Sequence, residues 1–179
     1  MVALAASGLT IVLLASFVSV FALAFSPTLR RATGTEALAN RAYRPGDIVD
    51  LPQVAYEDSR LTVVVFGTYR CGATMRSVPY LKAVSTALRS LGDARMALVP
   101  PQDVSVHDLD FATSIGIDRQ EVYSGLPMIF QVPVSPTVLV VDRRGVIQFL
   151  REGELDSQSM ALLLGRVTDV LGSFATDSR

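Results

Sequence analysis

One side chain, Cys71, has the type and the position to do covalent chemistry, and it is the only cysteine among 179 residues. It lies between the unbroken apolar run of residues 61–66 and a stretch with helical apolar spacing that starts at Thr74. Unpaired backbone N–H groups and the helix dipole stabilise an anion at a helix N-terminus. The pattern therefore predicts a lowered thiol pKa. The alternative is that Cys71 is a small buried apolar side chain.

An α/β domain with a parallel pair of strands is predicted to position this thiol. Residues 61–66 are β-branched and continuous, as in a strand covered on both faces. A helix follows and stops at Gly92, and residues 94–99 are predicted to form a second, parallel strand. The order strand, helix, strand implies a right-handed crossover. The apolar positions of the helix are Met75, Val78, Leu81, Val84, Leu88 and Leu91.

The segment 61–81 resembles the active-site segment of the thioredoxin family. Residues 71–74, Cys-Gly-Ala-Thr, stand where that family has Cys-x-x-Cys, and Pro79 matches its kink proline. The resemblance implies a thioredoxin fold, which is an α/β domain with a central mixed sheet flanked by helices. Because Thr74 replaces the second cysteine, the chain cannot form the internal disulfide of the ordinary dithiol cycle.

Residues 134–137, Val-Ser-Pro-Thr, resemble the cis-proline loop of the same family. In the family this loop lies against the reactive sulfur. The apolar segments 138–141 and 146–150, joined by a turn, resemble the family's final hairpin. The resemblance therefore implies a cis peptide bond before Pro136 and places this proline beside Cys71. The alternative is an ordinary trans proline that opens a strand.

The site implied by the resemblance consists of Cys71, Thr74 and Pro136, with no cofactor and no metal. The hydroxyl of Thr74 has two roles open to it: donating a hydrogen bond to the sulfur, or capping the helix. Many relatives also carry an acid near the motif. Here Val65 and Ser77 occupy the corresponding positions.

Three side chains near Cys71 in the sequence could change the chemistry of its thiol. Arg70 stands where the family usually has tryptophan, and together with Arg76 it would favour the thiolate if both side chains turned inward. Thr68 and Cys71 match the Thr-x-x-Cys pattern of peroxiredoxins, although Val64 replaces the proline of the fuller motif. A monothiol peroxidase is therefore a third functional hypothesis.

An uncharged segment at residues 3–25 predicts a membrane anchor, because as a helix it spans about 34 Å. A cleaved signal peptide is the alternative, since residues 22–24, Ala-Leu-Ala, fit the small-x-small rule. The absence of Lys and Arg before the segment and its length favour a retained anchor. We predict a transmembrane anchor at 1–26, a juxtamembrane linker at 27–44 and a thioredoxin-like domain at 45–179.

With this anchor, the chain is similar to membrane-tethered thioredoxin proteins of the TlpA/ResA-like or MauD-like kind. Those proteins serve cytochrome c maturation or methylamine dehydrogenase assembly. They usually hold their domain outside the cytoplasm, and we expect the same here, although the arginines after the anchor favour the cytoplasm by the positive-inside rule. A net charge of −1 gives no reason to expect nucleic-acid binding. The implied partners are a protein and the membrane.

Two functional hypotheses follow. In the first, Cys71 exchanges disulfides with a partner protein or assists redox-protein assembly, and an external thiol resolves the mixed disulfide. In the second, the domain is a catalytically degenerate thioredoxin fold that serves as an interaction or structural subunit of a membrane complex. The position of Cys71 favours the first hypothesis, and the loss of the second cysteine favours the second.

The remaining predictions concern the periphery of the domain. Residues 48–54 are expected to form a short edge segment. Residues 103–116 are predicted to form a helix capped by Asp103 or Ser105. A last helix begins near residue 156 or 157. Three polar side chains of the middle helix are expected to face water: His107, Asp108 and Asp110.

Overall fold

The computed structural model describes residues 42–49, 51–125 and 132–176, and the side chains only as far as residue 173 at the C-terminal end. The predicted anchor and most of the predicted linker lie outside the described residues. Within these residues, no helix combines the length and the apolar character needed to cross a bilayer.

A four-stranded mixed sheet lies at the centre of the described residues. The strands are β1 Leu61–Phe66, β2 Ala94–Val99, β3 Thr137–Asp142 and β4 Ile147–Glu152, in the order β2-β1-β3-β4. β1 is parallel to β2 and antiparallel to β3, and β3 is antiparallel to β4. This mixed sheet confirms the predicted α/β class, and β1 is one of its two inner strands.

The described helices are α1 Gly72–Arg76, α2 Val78–Leu91, α3 Val106–Ser114 and α4 Ser157–Thr176. The sequence predicted one continuous helix up to Gly92, but the structure has a break at Ser77 between α1 and α2. Pro79 explains the break, because its nitrogen carries no hydrogen for the helical bond to the preceding turn. Gly92 ends α2 at φ +75°, as predicted.

β1 is buried on both faces, so its side chains alternate between two apolar layers. Leu61, Val63 and Val65 belong to the layer under the helices, whereas Val64 and Phe66 belong to the layer on the other face. The first layer includes Leu81, Val84 and Leu88 of α2 and Leu163 and Val167 of α4. The second includes Val49, Leu51, Val54, Tyr56, Leu139 and Ile147.

Among the described residues of the predicted edge segment at 48–54, only an isolated bridge forms, with no regular strand. Ile48 makes an isolated bridge with Val146, and its own side chain is exposed. The Val49 N–H donates to the Gly145 carbonyl at 2.9 Å, so the start of the segment lies along the edge next to β4, and its apolar side chains join the second layer of the core.

Two predictions for α3 have different outcomes. Ser105 is the N-cap, as one of the two alternatives proposed, and it forms a capping box with Asp108. The prediction that Asp108 faces water is wrong. Its carboxylate is fully buried, where it accepts hydrogen bonds from the Ser105 backbone N–H at 3.1 Å and from the Ser105 hydroxyl at 2.5 Å. Asp110 is exposed, as expected, and pairs with Arg119.

The segment after α3 covers the outer edge of β2. Val122 bridges Leu98, and the Tyr123 N–H donates to the Leu98 carbonyl at 2.9 Å. Arg95 of β2 lies 3.3 Å from the Glu121 carboxylate, which also accepts a hydrogen bond from the Tyr123 hydroxyl. Burial and this carboxylate raise the pKa of Tyr123 to about 12. The contacts hold the segment against an edge that would otherwise expose unpaired backbone groups.

Ser77 joins the break between α1 and α2 to the loop before α4. Its side chain is fully buried, donates to the Ala73 carbonyl at 2.8 Å and accepts from the Leu155 N–H at 2.9 Å. The hydroxyl therefore satisfies a buried backbone donor that lies 78 residues away in the chain. Ser77, one of the two positions that the resemblance associates with an acid, therefore has a structural role here.

We predict that Ser77→Ala lowers the free energy of unfolding by about 1–3 kcal/mol, because it leaves the buried Leu155 N–H without this acceptor. Chemical denaturation of the full-length protein measures the change. Ser90→Ala is the matched control, since Ser90 is an exposed helical serine whose hydroxyl donates to a carbonyl three residues earlier. The control is expected to change stability by less than about 0.5 kcal/mol. Equal effects of the two substitutions would contradict the assigned role of Ser77.

Candidate active site

Cys71 lies at the turn that joins β1 to α1. It is the N-cap residue of α1, with φ −90° and ψ 118°, and its carbonyl accepts a hydrogen bond from the Met75 N–H at 2.9 Å. Its own N–H donates to the Thr68 carbonyl at 3.1 Å. The side chain is half-buried. The predicted position of the thiol at a helix N-terminus is confirmed.

The loop before β3 lies against this thiol. The Ser135–Pro136 peptide bond is cis, as predicted, and Pro136 is buried. The thiol of Cys71 donates to the Ser135 carbonyl, with 3.4 Å between sulfur and oxygen. Pairing of Phe66 in β1 with Thr137 in β3 brings the two loops to the same edge of the sheet.

Thr74 completes the contact between α1 and the proline loop. Its side chain is fully buried, and its Oγ1 lies 3.2 Å from Ser135 Oγ. The capping alternative is wrong, because Cys71 rather than Thr74 is the N-cap of α1. The structure therefore brings Cys71, Thr74 and Pro136 together, with Ser135 between them. Their catalytic role remains a prediction.

Hydrogen bonds lower the pKa of the Cys71 thiol below its ordinary value. The largest contribution comes from the backbone N–H of Thr74, and burial of the sulfur opposes it. The hydroxyls of Thr74 and Ser135 and the N–H of Ala73 lower the pKa further. Each of these groups can donate to a thiolate but gains little from an uncharged sulfur.

The two arginines near the motif do not turn toward the sulfur. The guanidinium of Arg70 lies 5.4 Å from the centre of the Tyr69 ring and donates to the Tyr69 hydroxyl at 2.8 Å. Arg76 is exposed and donates to Glu154 at 2.8 Å. The condition under which both arginines would favour the thiolate is therefore not met.

Two further predictions concern the surroundings of the thiol. The Thr68 hydroxyl accepts from the Arg70 N–H at 3.4 Å, and the hydrogen bond described for the Cys71 sulfur goes to Ser135 instead. This geometry does not support the peroxiredoxin-like arrangement.

His107 is exposed, as expected, with its ring 5.5 Å from that of Tyr69. Among the described residues, no cluster of His, Cys, Asp or Glu could hold a metal ion.

Sequence reasoning missed two residues of the site. Ser135 had no predicted role. Its position directly before Pro136, which the resemblance predicts to be a cis proline, could have indicated one. Gly67 lies where β1 ends, and a Cβ there would lie 3.1 Å from Thr74 Cγ2, 3.3 Å from Thr74 Oγ1 and 3.8 Å from Pro136 Cβ. The absence of a side chain at Gly67 thus lets Thr74 and Pro136 approach the end of the strand.

No protein-family model and no curated protein sequence matches the chain. Among solved structures, it is similar to a protein assigned as the thiol:disulfide interchange protein DsbE of Chlorobium tepidum. The TM-score is 0.55 at 16% identity, covering 73% of this chain and 99% of that chain.

Two further structures are similar. For the thioredoxin domain of a thiol-disulfide oxidoreductase from Bacteroides vulgatus, the TM-score is 0.51 at 12% identity, covering 70% of this chain and 99% of that one. For a DsbF homologue from Corynebacterium diphtheriae, it is 0.50 at 17% identity, covering 64% and 73% respectively. At these identities the similarities show the fold alone. The chain has a thioredoxin-like fold, as the sequence predicted.

We predict that Gly67→Ala destabilises the protein by about 1–3 kcal/mol and raises the pKa of Cys71. The added Cβ requires the Thr74 side chain to shift by a few tenths of an ångström, and because that side chain is fully buried, the shift overpacks a filled site. Denaturant unfolding and the pH dependence of Cys71 alkylation measure the two effects.

The double variant Gly67→Ala/Thr74→Ser is the matched control, because serine keeps the hydroxyl and removes the methyl group nearest the new Cβ. It should recover part of the lost stability. Failure of the double variant to recover any stability would show that the strain lies elsewhere.

Proposed function

We propose that the chain is a membrane-tethered thiol-disulfide exchange protein that acts through the single thiol of Cys71. The observation that carries the proposal is the position of this thiol at the N-terminus of α1, 3.4 Å from the carbonyl of the cis-proline loop. The hydrogen bonds that lower the pKa of Cys71 favour the nucleophilic thiolate. The similar solved structures, which include a thiol:disulfide interchange protein and a thiol-disulfide oxidoreductase, support the same chemistry.

The reaction has two steps. The Cys71 thiolate attacks one sulfur of a partner disulfide, a new sulfur–sulfur bond forms, and the partner's other sulfur leaves as a thiolate. A second thiolate, from outside the chain, then attacks the partner's sulfur in the mixed disulfide and releases the Cys71 thiolate. The partner disulfide is exchanged without net oxidation or reduction of Cys71. An external thiol is required because the chain contains no second cysteine.

Residues 3–25 supply the proposed membrane tether, with the thioredoxin-like domain at 45–179 outside the cytoplasm. Tethering confines the domain to the membrane surface and raises its effective concentration toward a partner in or on the same membrane. We propose a partner of the class that TlpA/ResA-like or MauD-like proteins serve. That class comprises components of cytochrome c maturation and dehydrogenases undergoing assembly.

The alternative function is a degenerate thioredoxin fold that acts as an interaction subunit of a membrane complex. Thr74 favours it, because a buried hydroxyl at the position of the resolving thiol removes the internal dithiol cycle. This alternative requires no reactivity at Cys71, so the thiol itself distinguishes the two functions.

We predict that Cys71 of the full-length protein is alkylated rapidly near neutral pH, with an apparent pKa below the free-thiol value of about 8.5. The reason is the set of backbone and hydroxyl donors at the sulfur. Iodoacetamide modification followed by intact mass across a pH series measures it. Cys71→Ser should also lose mixed-disulfide formation with partners in the cell, which non-reducing gels detect.

The outcome that contradicts the proposal is a native protein in which Cys71 reacts slowly at every pH but normally once unfolded. Unchanged cellular function of Cys71→Ser together with that result would favour the interaction-subunit alternative. Ser90→Ala serves as the matched hydroxyl control in the same assays.

We predict that the full-length protein sediments with membranes and that Cys71 is labelled by a membrane-impermeant maleimide in intact cells. Because Cys71 is the only cysteine, it reports the side of the membrane without further engineering. The double substitution Leu14→Arg/Phe17→Arg should release the protein from the membrane, since a charge at the centre of a bilayer costs about 2.5–3.5 kcal/mol.

Labelling that requires cell lysis would place the domain in the cytoplasm. A mature protein that lacks residues 1–24 by mass would show that the segment is a signal peptide instead of an anchor.

A further inference from the structure

Arg70 is the residue directly before Cys71, and its side chain is held in place. The Thr68 carbonyl accepts a hydrogen bond from the Cys71 N–H at 3.1 Å, so Tyr69 and Arg70 form the corner of a turn. The Arg70 Nε donates to the Tyr69 hydroxyl at 2.8 Å. Tyr69 is itself half-buried and packs against the apolar layer under the helices, with its ring 5.5 Å from that of His107. The tyrosine therefore fixes the guanidinium at the turn that carries the thiol.

The charged end of Arg70 forms no ion pair with the described part of the chain. A guanidinium has five N–H donors, and the contact with Tyr69 uses the one on Nε. Within the described ranges, the donors on the two terminal nitrogens have no acceptor, and the side chain is exposed. The planar fork of these nitrogens matches the two oxygens of a carboxylate. Arg70 is therefore an exposed and positioned binding group for a carboxylate.

Nearby carboxylates of the chain are already occupied. Glu154 accepts from Arg76 at 2.8 Å, which pairs the other arginine near the thiol. Asp108 follows His107 in α3, but its carboxylate is fully buried and accepts from Ser105. A positive charge without an ion-pair partner in the described residues therefore remains at Arg70. Because the thioredoxin family usually has tryptophan at this position, the charge is a property of this chain rather than of the fold.

The exposed apolar side chains of the site do not distinguish acidic from basic partners. Met75 lies in α1, and Val134 directly precedes Ser135 in the proline loop. Both side chains are large, apolar and exposed, so they can contact any apolar residue of a partner. Arg70 adds the charge that separates one class of partner from another.

We propose that Arg70 selects partner proteins in which an acidic residue flanks the reactive cysteine. This inference rests on the proposed thiol-disulfide exchange and names the class of its substrate. The partner's carboxylate binds the guanidinium, which brings the adjacent sulfur to Cys71. The Cys71 thiolate forms a bond to that sulfur, the partner's disulfide bond breaks, and its electron pair leaves with the other sulfur as a thiolate. The acidic residue thereby determines which of the partner's two sulfurs is attacked.

The attraction acts mainly on the rate at which the two proteins meet. Complementary charges speed up association, and like charges slow it. An exposed ion pair contributes only a small factor, but the contact with Tyr69 has already reduced the side-chain freedom that Arg70 would lose on binding. Because salt screens exposed charges, the selection weakens as the ionic strength rises.

The test uses the full-length protein in detergent and three short peptides, each with one cysteine activated as a 2-pyridyl disulfide. The peptides are identical except that both residues flanking the cysteine are Glu, Gln or Lys. Release of 2-thiopyridone reports formation of the bond between Cys71 and the peptide's sulfur, and intact mass identifies the product. Each rate is divided by the rate of the same peptide with 2-mercaptoethanol, which removes differences in intrinsic reactivity between the peptides.

Three variants separate the parts of the proposed group. Arg70→Gln removes the charge, Arg70→Lys keeps the charge without the planar fork, and Tyr69→Phe removes the hydroxyl that holds Nε. Arg143→Gln is the matched control, because Arg143 is also an exposed arginine at a turn. That turn joins β3 to β4 and follows Asp142, which lies opposite Leu61 at the other end of β1 from Phe66.

At low salt, we expect the wild-type protein to react about two- to fivefold faster with the Glu peptide than with the Gln peptide, and more slowly with the Lys peptide. Arg70→Gln should react at similar rates with all three peptides and should keep the wild-type rate with the Gln peptide. Arg70→Lys and Tyr69→Phe should retain part of the preference, and Arg143→Gln all of it. High salt should reduce the wild-type preference.

Equal wild-type rates with the Glu and Gln peptides at low salt would overturn the inference while leaving thiol-disulfide exchange intact. A preference for the Glu peptide that persists in Arg70→Gln would also overturn it, because another group would then be responsible. An undiminished preference in Tyr69→Phe would contradict the positioning of Arg70 by the hydroxyl. If native Cys71 reacts with none of the peptides but reacts normally once unfolded, the proposed function itself is wrong, and this inference with it.

Discussion

The antiparallel pairing of β1 with β3 is the constraint on which the candidate site depends. Phe66, the last residue of β1, lies opposite Thr137, the first residue of β3, so the loops carrying Cys71 and Pro136 meet at one edge of the sheet. A register shift of one residue would exchange the side chains of the two apolar layers. Because both layers are closely filled, core packing fixes the register. The 3.4 Å contact between Cys71 and Ser135 is therefore a consequence of burial far from the sulfur.

Features with a local cause could be predicted from the sequence. The strand at 61–66 follows from an unbroken β-branched run and the end of α2 from Gly92, and the cap of α3 is Ser105, one of the two candidates. The errors arose where tertiary contacts override local pattern. Asp108 has the sequence pattern of a solvated side chain, but the capping box supplies one of its buried carboxylate oxygens with two donors from Ser105. The meeting of the Thr74 and Ser135 hydroxyls depends on sheet register, which no local pattern in either segment encodes.

The fold and the function rest on different kinds of support. Structural similarity at 12–17% identity shows a thioredoxin-like fold. A fold accommodates many chemistries, so function has to be argued from the site. Here the site keeps the thiol, the helix N-terminus and the cis proline, and it replaces the resolving thiol by a buried hydroxyl. The chemistry that these groups support together is exchange by one thiol, with resolution by a second molecule.

A single thiol changes which property of Cys71 matters most. In a dithiol protein, an internal cysteine limits the lifetime of the mixed disulfide, whereas in the proposed single-thiol exchange that lifetime depends on how readily Cys71 leaves. A lower thiol pKa increases the thiolate fraction and improves the leaving group. It also reduces the intrinsic nucleophilicity of the thiolate, but with a Brønsted coefficient of only about 0.4–0.5. In the proposed exchange, the donors that lower the Cys71 pKa, of which the Thr74 backbone N–H is the largest, therefore cost little in the attack on a partner and gain more in the release.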